Sequence, residues 1–556
     1  MDADVIVVGA GLAGLVAARE LVDAGRRVAL VDQASPVNLG GQAWWSFGGL
    51  FLVDTPEQRR LGVRDSFDLA WQDWQGSAGW DRLEDEDIWG AKWAKAYVEW
   101  AAGEKRDWLR GKGIRFTPMV GWAERGDGRA MGHGNSVPRF HVAWGTGTGV
   151  VGPFIDSARE AAETGAITFY HRHRVDELVT TDGAVTGVRG AILAPDAGAR
   201  GELNRDDAVG DFELTGQAVL VSSGGIGGNH DLVRELWPAR MGVPPRSMIT
   251  GVPAYVDGRM LGIAEESGAR LVNRDRMWHY TEGIRNWSPV WPDHAIRILP
   301  GPSPLWFDAL GRLLPAPYLP GYDTLGTLRY LRTAPGLAEH DHSWFIVSQK
   351  MLEKELALSG SEQNPDLTDR DYRLLVKTRL GSGAPGPVED FRQHGPDFVT
   401  AATLAALVAK MNALTDEALL DFDTVRQQIE ARDREMLNPF TKDAQTMGIH
   451  NARRYRGDKL SRVAAPHQVL DPKAGPLTAI KLHVLTRKTL GGLQTDLDGR
   501  VLRADGSPLP GLYAAGEAAG FGGGGVHGYN ALEGTFLGGC LFTGRTAGRA
   551  LSRTIG

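Results

Sequence analysis

The residues best suited by type and spacing to do chemistry begin at position 9. Gly9-Ala-Gly-Leu-Ala-Gly14 follows the β-branched run Asp4-Val-Ile-Val-Val8 and opens a helical stretch from Leu12 to Ala24, stopped by Gly25. A second apolar run, Val28-Ala-Leu-Val31, ends on Asp32. Strand, GxGxxG, helix, strand and acid, in that order, make up a dinucleotide-binding unit. Gly9 would form the tight turn, Gly11 would let backbone N–H groups approach a pyrophosphate, and Gly14 would let the helix lie close on the strand. The helix N-terminus, with the backbone of Leu12 and Ala13, offers donors and partial positive charge to phosphates. Asp32 can accept hydrogen bonds from ribose hydroxyls. The motif alone does not separate FAD from NAD.

A second constellation is Met277-Trp-His-Tyr-Thr-Glu-Gly283, the densest polar-aromatic cluster in the chain. His279 could hold a substrate carbonyl or relay a proton, with Glu282 orienting it; the alternative is a structural histidine satisfied in the core. Tryptophans crowd a third region: Trp71, Trp74, Trp80, Trp89, Trp93, Trp100, Trp108, Trp122 and Trp144. They read either as core or as an aromatic wall around a flat apolar substrate or an oligomer interface.

Composition narrows the classes. With 42% hydrophobic and 23% charged residues over 556 positions, the chain can bury its own core in two or three domains. Cys540 is the only cysteine, which excludes disulfides within the chain, a dithiol redox pair and cysteine-ligated clusters, and fits a reducing, cytoplasmic setting. No residue set implies a metal. A net charge of −7 favours neither nucleic acid nor an anionic membrane as partner, and no apolar run is long enough to span a membrane. The 73 glycines, many of them clustered, mark several places where backbone must approach a ligand.

Further segments carry a resemblance. Asn38-Leu-Gly-Gly-Gln-Ala-Trp-Trp-Ser-Phe-Gly-Gly-Leu50 resembles the second glycine-rich loop of the fumarate reductase and 3-ketosteroid dehydrogenase superfamily of flavoproteins. Val219-Leu-Val-Ser-Ser-Gly-Gly-Ile-Gly-Gly-Asn229, Thr489-Leu-Gly-Gly-Leu-Gln-Thr-Asp496, Pro510-Gly-Leu-Tyr-Ala-Ala-Gly-Glu-Ala-Ala-Gly520 and His527-Gly-Tyr-Asn-Ala-Leu-Glu-Gly534 resemble later family segments in the same order. The resemblance implies FAD as cofactor. It implies a cofactor site that takes in Gln33, Gly40, Gly41, Gln42, Ser46, Gly48, Gly49, Val175, Ser223, Gly224, Gly225, Asn229, Gly516, Glu517, Asn530, Thr535 and Phe536, besides the first fingerprint. The helix after Gly534 would point its positive end at the reduced flavin.

Comparison within the superfamily separates its members. Succinate dehydrogenases attach FAD to a histidine in the loop after the acid; Gln42 stands there, so the FAD is expected to be non-covalent. Fumarate reductases hold a carboxylate with the arginine of H-G-x-N-R, where this chain has Ala531, and use a second arginine where it has Tyr322; their histidine before T-x-G-G corresponds to Lys488. Without those bidentate partners a dicarboxylate is not the expected substrate. Ketosteroid-type dehydrogenases use tyrosines as base and as donor to the substrate carbonyl. Tyr529, Tyr280 and Tyr322, with His279, are the corresponding candidates, although Tyr529 leads to Glu533 where the family has glycine. Lys488 would balance charge on the reduced flavin or be a surface lysine.

These readings give an α/β fold: a Rossmann-type FAD-binding domain, residues 1–250 and 467–556, with an inserted α+β substrate (cap) domain, 251–466. Inside the insertion Phe398–Leu414 and Ala418–Leu437 read as helices and Gly381–Pro387 as a loop. The expected function is FAD-dependent oxidation or reduction of a CH–CH bond beside a carbonyl in a small apolar, 3-ketosteroid-like substrate, with hydride transfer to flavin N5. A different flavin class, such as a fumarate/succinate-type enzyme or an amine or alcohol oxidase, and a non-catalytic flavin-binding protein are the alternatives. No second complete nucleotide fingerprint is present, so a separate electron acceptor is expected.

Overall fold

The computed structural model describes residues 1–203, 205–381 and 383–555. Two sheets organise the chain. The first has six strands in the order Arg500–Leu502, Pro508–Ala514, Ala218–Val221, Val5–Val8, Val28–Asp32 and Ile167–His171. All of its pairings are parallel except that of the edge strand Arg500–Leu502. Every residue of Val5–Val8 and Ala218–Val221 is buried. Unbroken apolar runs are what a parallel strand covered on both faces requires. The Leu12–Asp23 helix packs against Thr535–Thr554, and glycines let the two approach: a Cβ on Gly544 would meet Ala13 O at 2.4 Å, and one on Gly548 would meet Ala17 O at 2.8 Å. The beginning and the end of the chain therefore build one layer.

The second sheet has eight strands. Leu305–Phe307, His342–Ser348, Leu477–Thr489, Met277–Arg285, Ala295–Leu299 and Ala357–Leu358 lie in that order, while Ile249–Thr250 and Phe398–Ala401 also pair with Leu477–Thr489. Read from sequence as part of the C-terminal FAD segment, Leu477–Thr489 is thus the strand on which most of the second sheet assembles. A separate apolar core, including Trp306, Phe345, Leu352, Phe391 and Ile429, lies under this sheet.

Two helix assignments are corrected. Phe398–Ala401 is a strand, and the helix runs from Leu404 to Asn412, capped by the Thr403 side chain, which accepts from the Ala406 N–H. Edge pairing with Leu477–Thr489 decides the conformation of the Phe-Val-Thr segment, as β-branched residues allow. The second helix is shorter, Phe422–Glu435, because Asp421 caps it by accepting from the Thr424 N–H. Of the Gly381–Pro387 loop, Ser382 lies outside the described residues, and Gly386 already begins the Gly386–His394 helix.

Seven of the nine tryptophans lie in the core or pack against it. Trp74, Trp93 and Trp100 are buried. Trp93 and Trp100 set their rings 5.6 and 5.0 Å from Phe542 of the C-terminal helix. None of the nine lines the large cleft described next, so the aromatic-wall reading is set aside.

Candidate functional site

One cleft of about 1700 Å³, counted out to its mouth, runs between the two sheets. Its nucleotide end is built by the first fingerprint. Gly9 has φ +105°, and a Cβ there would meet Ser222 O at 2.7 Å. A Cβ on Gly14 would meet Gly9 O at 2.1 Å and Ser222 Oγ at 2.6 Å, so the helix can reach the strand only without a side chain. Gly11 differs. Its φ of −76° suits any residue, and the nearest atom to an added Cβ is Ser222 O at 4.0 Å. Gly11 therefore keeps the cleft empty rather than serving the packing.

The Leu12–Asp23 helix begins at Gly11 with no side-chain cap and no acidic residue in its first turn. Its N–H donors and dipole face the cleft uncompensated, as an anion site requires. Asp32 accepts from the Ala10 N–H at 2.7 Å and the Ala34 N–H at 2.8 Å. Burial raises its carboxyl pKa, and those two donors oppose the rise. Beyond the glycines, Glu517 is fixed by the Thr489 N–H at 2.9 Å and by Gln42 Nε2, which donates at 2.8 Å. Burial raises the Glu517 carboxyl too.

Gly9, Gly11, Leu12, Ala13, Asp32, Gln33, Gly41, Gln42, Ser46, Gly48, Gly49, Val175, Ser223, Gly224, Gly516, Glu517 and Phe536 line this cleft. Six residues expected at the cofactor do not. Gly14 and Gly225 are packing glycines, the latter with Thr489 Oγ1 2.0 Å from an added Cβ. Gly40, at φ +98°, turns against Val151 and Ile155. Asn229 caps the His230–Glu235 helix by accepting from the Leu232 N–H. Thr535 is buried in the first turn of the last helix, where its hydroxyl donates to Leu532 O. Asn530 lies in the preceding loop, outside the lining.

Of the four acid-base candidates only Tyr280 reaches the cleft. Its strand separates it from His279, since successive side chains point to opposite faces. Trp278 and Tyr280 both donate to Glu533 Oε1, at 3.3 and 3.0 Å. His279 faces the other way, stacked on Trp237 at 5.1 Å, and burial lowers its pKa to about 3. Tyr529 also turns away. Its N–H donates to Ala78 O, its hydroxyl donates to Asp81 Oδ2 at 3.0 Å, and Arg240 and Arg276 lie over its ring at 3.5 and 4.2 Å. Tyr322 is held elsewhere, its carbonyl accepting from the Gly126 N–H and its hydroxyl beside Gly448. His279, Tyr529 and Tyr322 are thus corrected as cleft residues.

Around Tyr280 the structure gathers Glu282 and Lys488, which the sequence reading had named in other roles, and Arg297, Glu124 and Glu533, to which it gave no role. Arg297 Nη1 donates to Glu533 Oε1 at 2.6 Å, Arg297 Nη2 donates to Glu124 Oε1 at 2.7 Å, and the guanidinium lies 3.8 Å from the centre of the Tyr280 ring. Glu282 comes within 3.8 Å of Arg297 Nε and accepts from Thr324 Oγ1 at 3.1 Å. Lys488 Nζ donates to the Tyr280 hydroxyl at 2.5 Å and sits 4.1 Å from the Phe536 ring centre.

Burial pushes the Lys488 ammonium down to about 7, with Glu533 opposing. Burial, with Glu533 adding to it, pushes the Tyr280 phenol well up. Burial would raise Glu533, but Arg297 and Lys488 hold it below the usual carboxylate range, while burial carries Glu282 to about 7. A lysine poised near neutrality can take up or release a proton at physiological pH. The sequence did hold a signal for Arg297, a charged residue in the middle of the apolar strand Ala-Ile-Arg-Ile-Leu. Ala123, Phe140, Phe47, Leu299 and Phe521 supply apolar wall to the same cleft.

Comparisons with known proteins converge. Residues 4–537 match the family described as FAD binding domain. The chain is 60% identical over 555 residues to a KsdD-like steroid dehydrogenase of Mycobacterium tuberculosis, covering 100% of this chain and 96% of that protein. Among solved structures it is similar to the 3-ketosteroid delta1-dehydrogenase of Sterolibacterium denitrificans, with a TM-score of 0.65 at 16% identity and 99% of each chain covered. It is also similar to the 3-ketosteroid-delta4-(5alpha)-dehydrogenase of Rhodococcus jostii RHA1, with a TM-score of 0.60 at 20% identity, covering 99% of this chain and 96% of that one. At those identities the structural likeness is one of fold.

The two fingerprint glycines give separable expectations. Gly14→Ala forces backbone apart and should cost about 1–3 kcal/mol of stability, read as a lower Tm of the cofactor-free protein. Gly11→Ala should leave that Tm unchanged and weaken cofactor retention, measured as bound flavin per chain after gel filtration. Equal Tm losses in the two variants would contradict the division of roles.

Proposed function

The chain belongs to the FAD binding domain family, and on that premise we propose that this FAD-dependent oxidoreductase acts on a CH–CH bond beside the carbonyl of an apolar, steroid-like substrate. The observation that carries the reading is the contact between Tyr280 and Lys488 in the cleft, backed by Glu533 and Arg297. The 60% identity to a KsdD-like steroid dehydrogenase supports the substrate class.

The residues fit the cofactor. We assign the pyrophosphate to the uncapped helix start at Gly11, Leu12 and Ala13, the adenosine ribose to Asp32, and the flavin side to Gly516, Glu517 and the start of the Thr535–Thr554 helix. Gln42 carries no nucleophilic nitrogen that would take the place of a histidine, so the FAD is held non-covalently. Bound FAD supplies the acceptor for a hydride.

The protein's part is the proton. With Lys488 in its amine form, the Tyr280 hydroxyl turns its proton from Glu533 to Lys488 Nζ as the phenol oxygen takes one from the carbon next to the substrate carbonyl. Glu533, held ionised by Arg297, fixes the phenol from its other side. The Arg297 charge is already matched by Glu533 and Glu124, which supports a neutral substrate rather than a dicarboxylate at this point of the cleft. Electrons then leave to a separate carrier. The single cysteine supports a reducing, cytoplasmic setting.

Acid or heat should release all the FAD from the denatured chain; flavin absorbance remaining on the peptide would contradict the role given to Gln42. Anaerobic addition of a 3-ketosteroid should bleach the bound flavin, whereas bleaching by amines or alcohols alone would move the enzyme to another flavin class. Turnover should fall on the acid side with a midpoint near pH 7, since below its pKa of about 7 Lys488 is already protonated and cannot accept. Tyr280→Phe should lower kcat by about 10²–10⁴ with FAD content unchanged, and Lys488→Met should remove the acid limb. A profile flat through neutrality in the wild-type enzyme would eliminate Lys488 as acceptor.

A further inference from the structure

The Tyr372–Leu380 helix lies at the surface. None of residues 372–378 is buried. Leu374, Leu375 and Thr378 are half-buried on one side, while Tyr372 and Val376 are 66% and 56% exposed on the other. Four residues apart, those two share the outer face of the helix, and the exposed Arg373 and Lys377 stand beside them. The helix carries Arg373, Lys377 and Arg379 and is capped by Asp371, an excess of two cations in a chain whose net charge is −7. The local sign is therefore the reverse of the global one. A helix of nine residues is marginal in water on propensity alone. An exposed apolar pair set among cations is the pattern of a helix lying in a lipid interface, with its apolar side in the acyl boundary and its cations at anionic headgroups.

The helix is also tied to the wall of the cleft. Tyr372 packs against Trp144 at a ring separation of 4.5 Å. In the short helix before it, Leu367 O accepts from the Gly145 N–H, and the hydroxyls of Thr368 and Thr146 are 2.8 Å apart. One step further the Gly147 N–H donates to O of Ser46, a residue of the cleft lining. We propose that the Tyr372–Leu380 helix is an interfacial anchor that seats the enzyme on an anionic lipid surface, from which an apolar substrate reaches the cleft. The choice of lipid over other anionic partners rests on the apolar-substrate reading above.

The test is co-sedimentation of the FAD-loaded protein with phosphatidylcholine vesicles, with and without phosphatidylglycerol. Binding is expected only to the anionic vesicles and should weaken with salt. Arg373→Gln with Lys377→Gln should reduce partition roughly thirty-fold, from two headgroup attractions lost. Tyr372→Ser with Val376→Ser should reduce it at low and high salt alike. Flavin content and circular dichroism of each variant are compared with wild type, and Val376→Ser alone, which leaves the Tyr372–Trp144 contact in place, should also reduce partition. No binding to anionic vesicles, or wild-type partition of both double variants, would overturn the proposal. So would capture on heparin or an acidic peptide without vesicle binding, which would give the helix to an acidic macromolecule. The readout uses no substrate: vesicle binding without steroid turnover would sink the functional reading and leave the anchor standing.

Discussion

The site depends on one buried cation. Arg297 is removed from water and can stay charged only because Glu533 and Glu124 meet its two terminal nitrogens at 2.6 and 2.7 Å, with Glu282 close behind. Taking away a partner from such a group leaves an uncompensated charge in a poor dielectric, which costs far more than the pair gains over an apolar replacement. The arrangement therefore holds as a unit. It joins the strand Ala295–Leu299, the strand Met277–Arg285, the segment at Glu124 and the loop before the last helix. Because Arg297 keeps Glu533 ionised, Glu533 can in turn hold the Tyr280 hydroxyl and moderate the loss of charge at Lys488. A structural ion cluster and an acid-base pair are here the same set of atoms.

Local features were legible in the sequence and relational ones were not. Gly9, Gly14 and Asp32 could be read directly because each answers a constraint within a few residues: a positive φ, a close helix approach, a strand end. Tyr280 could be placed on a polar-aromatic strand, but its neighbour His279 could not be excluded without knowing which face of that strand meets the cleft. Tyr529 failed for a related reason. It follows Gly528, whose φ is +64°, and that turn delivers the ring to Arg240 and Arg276 instead of to the cleft. Arg297 and Glu533 lie 236 residues apart, so no local pattern links them. Asn229 and Gly225 show the opposite error, where a family motif carried residues whose work is to cap a helix and clear a threonine.

One strand couples the two halves of the cleft. Leu477–Thr489 pairs with Met277–Arg285 in a register that sets Trp278 opposite Lys488 but Tyr280 opposite Leu485, so the ladder shifts between the two aromatics. A shift of this kind re-aims a side chain relative to its neighbours, and here it lets the Tyr280 hydroxyl reach Lys488 Nζ. The next residue, Thr489, donates its N–H to Glu517, which belongs to the first sheet's side of the cleft. The position of the proton acceptor and the position of the carboxylate at the cofactor end are therefore set by consecutive residues of one strand. Sliding it would misplace both together, which is a physical reason for the longest strand of the chain to end where the chemistry is.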